Sequence, residues 1–158
     1  MTDLTFTLKL LHILGATVVF GTGLGIAFFM WMAHLTGNAA TIAATARVVV
    51  IADATFTATS VVAQPVTGVA LAWLVGYSLL EPWIVATIGL YVLIGACWLP
   101  VVWIQLKLRD LAAAAAQTGA ALPERYFGLF RIWFALGIPA FSGMIAIFAL
   151  MVWKPPLW

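Results

Sequence analysis

Four apolar runs, each long enough to cross a lipid bilayer, leave this chain almost no choice of fold. They occupy about residues 4–33, 47–77, 82–106 and 126–153, and a helix needs roughly 20 residues to span about 30 Å of hydrocarbon. Hydrophobic residues make up 65% of the sequence and charged residues 8%, against about half and about 25% in an ordinary soluble domain. Lipid is therefore the solvent for most of the chain. No run alternates like a barrel strand, and an open strand in lipid leaves its backbone groups unpaired. The expectation is one all-α domain over residues 1–158, an integral membrane four-helix bundle with antiparallel up-down topology.

The breaks between runs carry ordinary helix punctuation. His34-Leu35-Thr36-Gly37-Asn38 closes the first, Glu81-Pro82 opens the third, and Gln117-Thr118-Gly119 with Leu122-Pro123-Glu124 separates the last two. The alanine-rich stretch from Asp110 to Ala116 extends the third helix beyond the membrane, because alanine is the best helix former and Lys107, Arg109 and Asp110 mark the interface. Ala44-Thr45-Ala46 has the form of a signal-peptide cleavage site. The apolar stretch before it, however, is about twice the usual length and ends well short of it.

Counting cations sets the orientation. Arg47, Lys107, Arg109, Arg125 and Arg131 flank one face, against Lys9 and Lys154 on the other, which places the first and third loops in the cytoplasm and both termini in the periplasm of a bacterial inner membrane. Trp31, Trp73, Trp83, Trp103, Trp153 and Trp158 lie near run ends and suit an aromatic belt. The single cysteine, Cys97, excludes an internal disulfide and any multi-cysteine metal site. A net charge of +2 without a basic cluster gives no reason to expect nucleic acid. Nucleotide-binding loops and nucleophile motifs are absent from the sequence.

Polar residues inside the apolar runs are costly and hence candidate site residues. His12 lies about eight residues, roughly 12 Å, into the first helix; a neutral imidazole there can ligate a haem iron, carry a proton or bond a neighbouring helix. Lys9, one turn nearer the surface, either snorkels or pairs with a propionate or an anionic substrate. His34 follows His12 by 22 residues, about 33 Å, so both cannot bind one iron, and His34 reads as an interfacial or capping residue. Antiparallel threading puts Gly68 and Val69, residues 89–91 and Met144 near the depth of His12. Met144 is then either an axial ligand or a core methionine.

The second run is the most polar. Gln64 is a candidate to line a site, and Pro65 frees a backbone carbonyl that a cofactor or a water can use. Asp53 is expected to pair with Arg47 or Arg131, and Arg131 either snorkels or neutralises an acid or a propionate. Gly21 and Gly25, with Gly15 and Gly23 beside them, form a small-residue stripe for a neighbouring helix, a flat macrocycle or a second protomer in a homodimer.

Several of these segments carry a family resemblance. Leu10-Leu11-His12-Ile13, Phe20-Gly21-Thr22-Gly23-Leu24 and His34 in the first run, Thr67-Gly68-Val69-Ala70-Leu71 in the second, and Arg131-Ile132-Trp133-Phe134, Ile138-Pro139 and Val152-Trp153-Lys154-Pro155 in the last distantly resemble the four-helix membrane protoporphyrinogen oxidases of bacteria. More closely, the chain is similar to a bacterial family of integral membrane proteins described as a domain of unknown function. The oxidase resemblance implies a bundle binding b-type haem, with His12 matching the ligating histidine. It also exposes a departure: the oxidases' lysine early in the third helix is replaced by Ala86 or Thr87 in Trp83-Ile84-Val85-Ala86-Thr87.

Three readings of function follow. One is a small haem-binding redox protein, with His12 as axial ligand and Lys9 or Arg131 as charge partners, exchanging electrons with quinone or an oxidoreductase. Another is a structural or accessory membrane subunit, or a small carrier. The third is a porphyrinogen-oxidising enzyme.

Overall fold

The structure, a computed structural model, describes residues 3–158. Five α-helices account for nearly all of them: α1 (Asp3–Leu35), α2 (Ala39–Ala52), α3 (Ala58–Val75), α4 (Pro82–Thr118) and α5 (Glu124–Trp153). A single π-helical turn, Asp53–Thr57, joins α2 to α3, so the two form one span and the bundle crosses the membrane four times. There is no strand among the described residues.

Local chemistry explains the boundaries. Asn38 accepts a hydrogen bond from the Thr41 amide at 3.0 Å, a cap that starts α2 at Ala39, well before the expected position near Arg47. Arg47 therefore lies inside a helix whose alanine-rich first turns precede it. Helix α4 runs on through the Ala112–Ala116 stretch to Thr118, as its composition requires. Gly76 and Gly119 end α3 and α4 in the left-handed conformation, at φ 86° and 67°.

The 37 residues of α4 measure about 55 Å at 1.5 Å per residue, far more than the roughly 30 Å of hydrocarbon. The excess lies at the end carrying Lys107 and Arg109, and the tightest packing gathers towards that same end. Ile42, Leu108, Ala112 and Tyr126 are fully enclosed there, with Met30, Val49, Ile104, Phe130 and Trp133 beside them. Outside the bilayer this burial is driven by water, at about 2 kcal/mol for a large aliphatic side chain. Within lipid that driving force is gone and helices hold together by close packing and hydrogen bonds. Leu10, Leu14, Val62, Val66, Ile88, Val92, Ile138 and Ile145 accordingly point outward from the spans.

Helix α4 packs along α5 and α2, whereas α3 packs on α1. The second span thus exchanges one partner for another at the π turn. At the opposite end a smaller cluster of Ala72, Trp83 and Ile84 closes the bundle with Tyr77, Leu150 and Met151. There Lys154 donates to the Tyr77 hydroxyl at 3.1 Å and lies over the Tyr77 and Trp83 rings.

The glycine stripe divides in two. Gly15 meets α3 so closely that a Cβ there overlaps the Gln64 amide. Gly21 and Gly23 have no atom within 4 Å of an added Cβ, and Gly25 meets only Phe29 of its own helix, so these three pack no other helix of this chain.

Candidate functional site

Two polar clusters are built inside the spans. The first joins α1 to α3. His12 Nδ1 lies 2.8 Å from Thr67 Oγ1. The Thr67 hydroxyl has one proton, and the Ala63 and Gln64 carbonyls of its own helix stand at 2.8 and 3.2 Å to take it. Thr67 is thereby left to accept, so His12 carries its proton on Nδ1 and donates it to Thr67. The lone pair then resides on Nε2, which has no hydrogen-bond partner among the described residues. Gly68 makes room for the ring: an added Cβ there comes within 3.2 Å of His12 Cε1. Gln64 donates to the His12 backbone carbonyl at 2.9 Å, so two polar links stitch α1 to α3.

Between Gln64 and Thr67, Pro65 has no amide proton for the carbonyl of Val61 one turn before it. The Tyr91 hydroxyl of α4 donates to that oxygen instead. The carbonyl expected to await a cofactor or a water is occupied by the protein itself.

The second cluster surrounds Asp53, the first residue of the π turn, which is 4% exposed. Trp98 of α4 donates its indole N–H to Oδ1 at 3.3 Å. Gln105, two turns on and 2% exposed, lies between Asp53 and Trp133 of α5. Oriented to satisfy both neighbours, its amide nitrogen donates to Asp53 Oδ2 at 3.2 Å and its oxygen accepts from Trp133 Nε1 at 3.3 Å. The expected pairing of Asp53 with Arg47 or Arg131 does not form. Both arginines are exposed, and the one ion pair among the described residues is Arg109 with Asp110 at the surface, at 2.8 Å. A long side chain on the lipid-facing side of a helix gains more by reaching the interface than by turning into a packed core.

The family described as "Predicted integral membrane protein (DUF2269)" matches residues 6–155. The chain belongs to that family. No curated protein and no solved structure matches it.

In this family member, the residues singled out by sequence do not all converge. His12 and Gln64 meet at one place. Lys9 is exposed one turn nearer the surface. Arg131 lies at the other end: His34 stacks on its neighbour Phe130 with ring centroids 3.7 Å apart, and His34 is 22 residues from His12, about 33 Å along the bundle. Met144 is half-buried on α5 between Phe141 and Phe148, both of which contact Phe20. That sets it at the depth of Phe20, eight residues and about 12 Å from the level of His12. His34, read as interfacial, also shares a 3.3 Å hydrogen bond with Tyr126. Sequence reasoning missed Gln105 and the ring nitrogens of Trp98 and Trp133. One signal was available: of eight tryptophans, these two are the ones away from the aromatic belt. Among the described residues no three His, Cys, Asp or Glu side chains gather in a metal-binding group.

Proposed function

We propose that this protein is a small membrane-embedded redox protein that carries b-type haem on His12 as a single axial ligand. One observation carries the reading: Thr67 holds Nδ1 in hydrogen bonding at 2.8 Å, so the free lone pair on Nε2 is fixed in direction, the arrangement that outer-shell partners give to metal-ligating histidines. Lys9, one turn away on α1, suits one propionate at the interface. The remaining donors do not fit the group. Arg131 is too distant to neutralise a propionate and Met144 too deep to be a second ligand, so His12 would be the one protein ligand in this reading. Haem would supply one-electron chemistry when bound; the chain would contribute the ligand and its tautomer. Quinone or a partner oxidoreductase in a bacterial inner membrane is the electron-exchange partner in this reading.

Full-length protein purified in detergent from haem-replete cells is predicted to show a Soret band that His12→Ala abolishes. A colourless, well-folded protein overturns the proposal. It then supports a second reading, an accessory membrane subunit or small carrier, which the same contacts favour because they stitch α1 to α3 without any cofactor. Porphyrinogen oxidation, the enzymatic reading, requires complementation of a strain lacking that step.

A further inference from the structure

The Asp53 cluster has a fixed polarity. An indole N–H only donates, so Trp133 turns the Gln105 oxygen toward itself and the Gln105 N–H toward Asp53, while Trp98 donates from the other side. Two N–H groups converge on one side chain, one on each oxygen. An asparagine there would face one of those donors with its own NH₂. The site is shaped for a carboxyl group with two accepting oxygens.

No fixed cation answers that charge. On its own span, Arg47 is six residues back, about 9 Å along the helix, and exposed. On α5, Arg131 is exposed. On α4, Lys107 reaches over the Trp103 ring at 5.8 Å, and Cys97, buried beside Trp98, is the nearest titratable neighbour in sequence. Helix α1 offers nothing titratable between His12 and His34. An uncompensated carboxylate in so enclosed a place is expensive, and intramembrane acids of this kind mark ion and proton pathways. The neighbours also select among cations. Metal cations such as Mg²⁺ and Ca²⁺ take shells of about six or more oxygen ligands, and the groups placed on Asp53 here are two N–H donors and the buried Thr57 hydroxyl of the same turn, a single oxygen beside the carboxylate. A proton needs only one carboxylate lone pair.

We propose that Asp53 is a reversible proton-binding site, loaded and emptied from the Arg47 end of the bundle, with Trp98, Gln105 and Trp133 as its positioning residues. Loading transfers a proton from hydronium to one carboxylate oxygen, leaving water; emptying reverses the step with no redox change. On the oxygen that faces Gln105 the new O–H is a donor facing a donor, and in this proposal the Gln105 amide turns to accept it and releases Trp133. Proton occupancy is thereby coupled to the link between α4 and α5. This proposal is independent of any cofactor at His12.

The test is pH-difference infrared spectroscopy on the full-length protein in lipid nanodiscs. A carboxylic-acid C=O band that titrates in the physiological range, is lost in Asp53→Asn, is shifted in Gln105→Leu and is unchanged in Asp110→Asn is the expected result. Absence of an Asp53-dependent band, or a titration displaced by sodium chloride but not by choline chloride, overturns it. Wild-type protein labelled with dicyclohexylcarbodiimide gives a variant-free check, because the reagent adds to a protonated carboxyl in an apolar site. Asp53 modification that falls as pH rises supports the proposal. Modification confined to Asp3, Glu81, Asp110 or Glu124 counts against it.

Discussion

Thr67 does for His12 what the helix backbone cannot, supplying an acceptor that belongs to a different span. Replacing it with valine keeps the shape and leaves Nδ1–H unpaired, a loss of about 1–3 kcal/mol for a buried donor. Gln64→Leu removes a bond to a carbonyl that keeps its own helical partner, and is expected to cost no more than about 1 kcal/mol. Thermal unfolding in detergent should therefore rank Thr67→Val below Gln64→Leu, and equal midpoints would refute the tautomer assignment. At this scale the sequence was partly readable. His12 and Gln64 stood out because a polar residue in an apolar run is conspicuous. Gln105 did not, since it lies two positions before Lys107, where an apolar run is already ending and polarity carries no signal. Asp53 is conspicuous, but its partners are not legible: Arg47 and Arg131 are near enough in depth to suggest an ion pair, and only the facing of the helices turns Asp53 to Trp98 and Gln105 instead.

Helix extents were legible wherever composition changes abruptly, as at Pro82, Gly119 and Glu124. The start of α2 was not, because its first turns are alanine and threonine, equally at home on either side of an interface, and only the Asn38 cap decides. Proline behaviour was half legible. That Pro65 frees a carbonyl follows from its ring; that Tyr91 claims it depends on how α4 is threaded. A double-mutant cycle can isolate that link. Tyr91→Phe should cost about 1–3 kcal/mol in the native background and much less beside Pro65→Ala, where an alanine amide can bond Val61. Additive losses would show that the two residues act separately.

For the whole molecule, the cation asymmetry predicts that both termini face away from the cytoplasm. Alkaline phosphatase fused after Trp158 should be active and green fluorescent protein at the same place dark; the converse pattern would invert the bundle. In that orientation the stretch of α4 beyond Lys107, with the helices packed on it, projects into the cytoplasm, and the Asp53 carboxyl lies nearer that side than His12 does.

The π turn ties these sites to one another through angular phase. A single additional residue turns everything after it by about 100° relative to a regular helix, and with that turn the second span aims Asp53 toward α4 while aiming Gln64 and Thr67 toward α1. Neither aim is separately adjustable. Excision of one residue between Ala54 and Phe56 would restore an unbroken α-helix and swing one half of the span out of alignment with the other. Seat Asp53 correctly in such a chain and Thr67 faces lipid; seat Thr67 and the carboxyl loses its donors.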